Sequence, residues 1–189
     1  FLKKESKTTS VALVGPGAGS NSKTMKFTEE ILKNIRYVIL DADALNSLQH
    51  KTKKLLKYLD KDKLITPHKA EFHRLFPYIK KSLDNKEKVL KFLKLCRSNI
   101  LLKGSKTLIG SNKKIIINSH SSSELAVIGS GDVLAGIITS LVGENKMSML
   151  EAASAAAWLH GDIAKKYGKG LISEDLIKGI PSALKRLKK

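Results

Sequence analysis

Short, unbroken apolar runs alternate with helical patterns along the whole chain. Ser10-Val11-Ala12-Leu13-Val14 reads as a strand buried on both faces, and Gly15-Pro16-Gly17-Ala18-Gly19 stops it. A helix is predicted over 22–34, with Phe27, Ile31, Leu32 and Ile35 at helical spacing. Tyr37-Val38-Ile39-Leu40 is a second buried strand, ending in Asp41-Ala42-Asp43, with a helix beginning near Ala44. Leu55, Leu56 and Leu59 mark a short helix, and Leu64-Ile65-Thr66 a brief strand that stops at Pro67-His68. Asp84 and Glu87 have capping-box spacing ahead of a helix carrying Val89, Phe92, Leu93 and Cys96. Ile100-Leu101-Leu102 ends in Lys103-Gly104, and Thr107–Ile109 with Ile115–Ile117 forms a hairpin around Gly110-Ser111-Asn112. Beyond Gly131 the chain turns helical. Val133 to Val142 is apolar on nearly every side, which predicts burial, and Met149 to Tyr167 is alanine-rich. Ser173 is placed to cap a short helix, and Pro181 to open a last one.

This alternation predicts one α/β domain over residues 1–189, a mainly parallel sheet with helices on both faces. Its polar punctuation falls at strand C-termini: the glycine turn, Asp41-Ala42-Asp43, Thr66-Pro67-His68 and Lys103-Gly104. Ligands of open α/β sheets bind outside those ends. The most informative stretch is Gly129-Ser130-Gly131-Asp132, a glycine hinge opening into an apolar helix. Unpaired amides at such a mouth sit at the positive end of the helix dipole and hold phosphate. Asp132 is the sole acid between Glu124 and Glu144, so a carboxylate there can take a proton from a hydroxyl while the amides hold a phosphoryl group. The competing structural role is that Asp132 caps its helix.

At 189 residues the chain is long enough to bury a core, and 42% apolar content is that of a globular protein. No apolar run reaches the ~20 residues that span a bilayer, and Cys96 stands alone, which excludes a disulfide framework. A reducing, cytoplasmic compartment is the simplest expectation. The net charge of +18 is spread over lysines, clustered at Lys51/Lys53/Lys54, Lys80/Lys81 and Lys185–Lys189. None of these interleaves with aromatics as a single-stranded nucleic-acid surface would; the charge suits small polyanions such as nucleotides.

Gly15–Gly19 fails the dinucleotide fingerprint at Ser20, and Gly17–Thr24 fails the P-loop pattern because Ser22 stands where glycine is needed. Asp41 and Asp43 would point the same way in extended chain, suited to hydrated Mg²⁺ or a ligand hydroxyl, unless one caps the following helix. His68 follows a proline at a strand end, a rigid place for an imidazole. His50, His73, His120 and His160 lack comparable context, and no pair has zinc-ligand spacing. Lys103 puts a point charge where a nucleotide phosphate would lie.

Taken together, VGPGAG at 14–19, LDADALN at 40–46, TPHKAEF at 66–72, LLKGSKT at 101–107 and LAVIGSGDVLAGII at 125–138 resemble the ATP- or ADP-dependent NAD(P)H-hydrate dehydratases. AAAWLHG at 155–161 and the Asp175 segment up to Pro181 continue in that family's order. The resemblance implies a ribokinase-like α/β/α sandwich that repairs hydrated NADH or NADPH: a nucleotide phosphorylates the ring hydroxyl and phosphate is then eliminated. It implies that Asp132 is the base and contacts the hydrated cofactor together with Gly17 and His68; Asp41 and Asp43, from their place at a strand end, are further candidate substrate-binding residues. It implies that Lys103, Gly104, Ser105, Lys106, Thr107 and the Gly129-Ser130-Gly131 turn hold ATP or ADP, with Mg²⁺ bridging its phosphates. Lys69-Ala70 stands where the family usually has Pro-Gly, and 118–124 lacks the family's glycine and proline. Family members also carry about 70 or more residues ahead of the VGPGAG strand, within ordinary domain size. A separate N-terminal piece, a fused or partner epimerase domain and a homo-oligomer are therefore further expectations. Two other readings share part of this pattern. One is a small-molecule kinase of the same fold, against which the TPH-x-x-E and KG segments speak. The other is a basic, inactive nucleotide- or nucleic-acid-binding remnant.

Overall fold

The computed structural model describes residues 9–112 and 114–187; Phe1 and the Lys188–Lys189 end of the C-terminal basic cluster lie outside them. Strands β1 (Val11–Val14), β2 (Tyr37–Leu40), β3 (Lys63–Ile65) and β4 (Asn99–Leu102) lie side by side in parallel. Strands β5 (Thr107–Ser111) and β6 (Lys114–Asn118) complete the six-stranded sheet as an antiparallel hairpin. Ala12 pairs with Val38, Ile39 with Leu64, Ile65 with Ile100 and Leu101 with Ile109.

Side chains alternate across a strand, so each strand feeds two cores. Val38, Leu40, Ile65, Ile100 and Leu102 face the layer of α1 (Ser22–Asn34), α2 (Ala42–Ser47), α3 (Thr52–Tyr58), α4 (Lys69–Leu75) and α5 (Asn85–Leu95). Ile39, Leu64, Leu101 and Ile109 face α6 (Ser130–Gly143), α7 (Met149–Tyr167) and α8 (Ser173–Leu187). The result is the expected three-layer sandwich. No helix among the described residues is long and apolar enough to cross a membrane.

Five local differences from the sequence reading have physical causes. Phe27 is exposed; the buried face of α1 uses Thr24 and Thr28, whose hydroxyls bond backbone carbonyls at 2.5 and 2.8 Å. Helix α4 follows Pro67-His68 directly, started by a capping box between His68 and Glu71. Pro181 lies inside α8 instead of opening a new helix. Proline removes one helical donor, yet Leu176 before it and Ala183 after it are both buried on the α7 side, which holds the axis through the break. Ser173 is the first residue of α8, where its hydroxyl bonds the Ile128 carbonyl, and Asp175 accepts from the Ile172 amide at 3.1 Å. Finally, α6 is buried along one side only. Val133, Ile137 and Leu141 line an open groove against Ile177, Ile180 and Leu184 of α8. On the same side of the molecule β1 forms the sheet edge among the described residues.

Candidate active site

The carboxyl ends of the parallel strands bring their polar residues together. Asp41, at the end of β2, is only 1% exposed and its Oδ1 lies 2.7 Å from the Lys103 ammonium at the end of β4. A Cβ placed on Gly131 would sit 3.4 Å from Lys103 Nζ and 3.8 Å from Asp41 Oδ2, so the ion pair lies directly against the mouth of α6. Gly15 passes over the same point. It has φ +130°, and a side chain there would meet the Asp41 carbonyl oxygen at 1.8 Å, which leaves glycine as the residue that fits. The neighbouring bridge between His68 and Lys103, with Lys103 N–H donating to Pro67 O at 2.9 Å, fixes a third strand end beside them.

Asp41 and Asp43 do not form the same-facing pair expected of an extended chain. Ala42 takes φ 43° and turns the backbone into α2, so Asp43 falls on the first helical turn and accepts the Gly19 amide at 2.8 Å. One carboxylate therefore faces the α6 mouth and the other braces the glycine turn. His68 is also partly committed: its Nδ1 accepts from the Ala70 and Glu71 amides at 3.1 and 3.3 Å, which leaves Nε2 for the neutral ring's proton, 3.5 Å from Glu71 Oε1.

Helix α6 begins at Gly129 in the left-handed conformation, φ 81°, with no side-chain cap. The Ile128 carbonyl that would accept from the Asp132 amide is taken by the Ser173 hydroxyl. The amides of Gly131 and Asp132 make no hydrogen bond to the described residues. Nor does the Asp132 side chain, which is exposed and does not cap its helix. Free donors and a free carboxylate thus share one helical turn.

That turn separates two cavities. One, of about 430 Å³, is lined by His68, Lys103, Gly104, Ser105, Thr107, Ser130 and Gly131, with Ser121, Ser122, Ser123, Leu125 and Ala126 as its roof. This volume lies in the range of small-molecule sites. The other, about 500 Å³, is the α6–α8 groove, and Asp132 stands at its end. Of the remaining residues named from the sequence, Gly17, Asp41, Asp43, Lys106 and Gly129 line neither cavity; Asp41 is buried behind Lys103.

Two features of the larger fold around the first cavity escaped the sequence reading. His160, on α7, is buried at 5% exposure with Nε2 3.2 Å from Ser130 Oγ. Its signals in the sequence were its place in the AAAWLHG segment and its spacing from Ala156 and Ala157, which puts it on the buried face of α7. Burial, opposed only in part by the Ser130 backbone, pushes the imidazole down to about 4. In the unfolded chain it titrates near 6.5. Between these values the unfolded state binds more protons, so stability falls as pH drops from 6.5 towards 4 and is unaffected above that window. Wild type is expected to lose about 3 kcal/mol more than His160→Gln across it in urea melts; parallel curves would contradict this.

The second feature is the anchor of the roof. His120 stacks on Trp158 at 5.1 Å, and its Nε2 lies 3.5 Å from Asp162, which Lys166 and Arg186 also approach. A Cβ on Gly161 would meet the His120 carbonyl oxygen at 1.8 Å. Gly161→Ala is expected to cost about 1–3 kcal/mol in thermal melts by overpacking and to weaken ligands of the first cavity. An unaltered melting temperature would show that this approach is not close.

The fold is of the ribokinase-like class. A ribokinase-like superfamily protein from Enterococcus faecalis superposes with TM-score 0.85 at 21% identity, covering 98% of this chain and 66% of that one. An ADP/ATP-dependent NAD(P)H-hydrate dehydratase from Bacillus subtilis, co-crystallised with ATP and Mg²⁺ and soaked with CoA, superposes with TM-score 0.72 at 22% identity, covering 98% and 71%. The family model described as NAD(P)H-hydrate dehydratase matches residues 2–181, and the chain belongs to that family. It is 38% identical over 159 residues to the ADP-dependent (S)-NAD(P)H-hydrate dehydratase of Neisseria meningitidis, covering 80% of this chain and 53% of that protein. It is 32% identical over 187 residues to the bifunctional NAD(P)H-hydrate repair enzyme Nnr of Moorella thermoacetica, covering 94% and 35%. The chain thus spans about half of the first of these relatives and a third of the second.

Proposed function

We propose that this chain carries the nucleotide-dependent dehydration of the S form of hydrated NADH or NADPH. The observation that supports it most is the division at α6: Lys103 and the Gly131 amide face one cavity, while the unpaired Asp132 faces the other. In this reading ATP or ADP occupies the first cavity with its terminal phosphoryl group at the helix mouth. The ring hydroxyl of the hydrate approaches from the side of Asp132, near Gly17 and His68. Asp132 takes the hydroxyl proton as the oxygen attacks phosphorus, and the bond from phosphorus to the leaving nucleotide breaks. Phosphate then departs with the ring oxygen, and loss of the neighbouring ring proton restores the double bond. Phosphoryl transfer demands mainly positioning and charge stabilisation, which the Gly131 and Asp132 amides and Lys103 supply.

Among the described residues no cluster of three acidic, histidine or cysteine side chains exists. Mg²⁺ would arrive on the nucleotide, since this ion is commonly held by substrate phosphates with one or two carboxylates. Asp41 Oδ2 and Asp132 are the carboxylate oxygens at the mouth that could reach it. The ion would neutralise charge on the transferred group. The reaction belongs in the cytoplasm, in keeping with the lone Cys96. Because the relatives are longer, we place the remainder of the domain, as a covalent or separate segment, on the β1 edge and the α6–α8 groove. An epimerase unit is the partner that would complete the repair.

The test is stoichiometry. One inorganic phosphate released per NADH recovered is expected. A stable phosphorylated product with no NADH would instead make the protein a small-molecule kinase.

A further inference from the structure

The mouth of α6 has one polar side chain that is buried and yet lines the first cavity, the hydroxyl of Ser130. A serine hydroxyl carries one donor and two acceptor lone pairs, and its direction is set by whatever else it touches. Here that neighbour is His160 Nε2, at 3.2 Å, itself buried in the same wall. Two polarities satisfy the contact. If Ser130 donates to the ring, its lone pairs face the cavity and repel an anion. If the ring donates from Nε2, the Ser130 proton is free to point into the cavity, beside the free Gly131 amide and the Lys103 ammonium.

We propose that His160 is a positioning residue: donating from Nε2 to Ser130 Oγ, it turns the Ser130 hydroxyl into a fixed donor for the terminal phosphoryl group of the nucleotide. The inference rests on reading the α6 mouth as the phosphate site. A bound anion selects this tautomer, because the alternative aims oxygen lone pairs at negative charge. The ring's burial keeps it neutral near pH 7, so the choice is one of tautomer, not of charge.

Calorimetric titration of the full chain with a non-hydrolysable ATP analogue tests it, using Ser130→Ala, His160→Leu, their combination and His160→Gln. Each of the first two is expected to weaken binding about 10-fold, the range for a hydrogen bond to a charged group. The double variant should be no weaker than Ser130→Ala alone, and Gln, with an amide nitrogen near the Nε2 position, should restore most of the affinity. Adenosine, which has no phosphate, should bind all variants alike. Multiplying losses, or equal losses for adenosine, would overturn the proposal while leaving the nucleotide site standing. A wild-type chain that binds adenosine but gains nothing from phosphates would overturn the reading of the mouth itself. Should His160→Leu fail to fold, the ring nitrogens of wild-type His160 can be read by NMR in the nucleotide-saturated protein. A proton on Nε2 is expected, and a proton on Nδ1 alone overturns the assignment.

Discussion

Asp132→Asn is expected to lower turnover by about 10²- to 10⁴-fold, the usual contribution of a positioned general base, while nucleotide affinity stays near the wild-type value. The two readouts separate because the side chain and the amides of the same turn face different cavities. Asparagine keeps the size of the side chain and the backbone of α6, and the carboxylate makes no internal hydrogen bond that its loss would break. Stability should therefore change little. A variant with wild-type rates would remove Asp132 from the chemistry, and one that no longer binds nucleotide would show that the two cavities are not independent.

Lys103→Met should have the largest effect on stability. Asp41 is 1% exposed, and the side chain of its partner is 22% exposed, so removing the ammonium strands a carboxylate in the interior. Breaking a buried pair from one side costs about 3–5 kcal/mol, and the partial exposure of Lys103 argues for the lower end. Adding Asp41→Asn should recover much of that loss, because both charges are then gone. Nucleotide affinity should not recover, since the cavity has lost its point charge. Thermal melts of the single and double variants decide the first statement and calorimetry the second. If Lys103→Met melts with wild type, the ion pair does not hold these strand ends together.

The strands and the layers were legible because they depend on local pattern, whereas the order of strands in the sheet came only with the structure. Unbroken apolar runs such as 37–40 can exist only between two helical layers, and the turn residues after each run mark where the sheet ends. For the same reason Asp41, His68, Lys103 and Gly131 could be assigned to the carboxyl end of the sheet before any geometry was known. What the pattern does not carry is which of these groups touch. Asp41 and Lys103 are 62 positions apart, and Ser130 and His160 are 30 apart. Their contacts arise only when neighbouring strands and helices pack. Histidine is not among the favoured caps, so the start of α4 at His68 left only a weak trace. Pro181 ordinarily signals a helix boundary; here tertiary burial on both sides of it overrides that preference. The half-open face of α6 has the same origin: composition says that a helix is apolar, and not whether a neighbour is present to cover it.

The claim that the two cavities across the first turn of α6 serve one reaction is tested most directly by recovery of NADH absorbance. The chain would be mixed with the S form of hydrated NADH, Mg²⁺ and either ATP or ADP, beside the Asp132→Asn protein. Recovery that requires the nucleotide and disappears in the variant is the expected result. A folded, nucleotide-binding chain that returns no NADH under either nucleotide would contradict it.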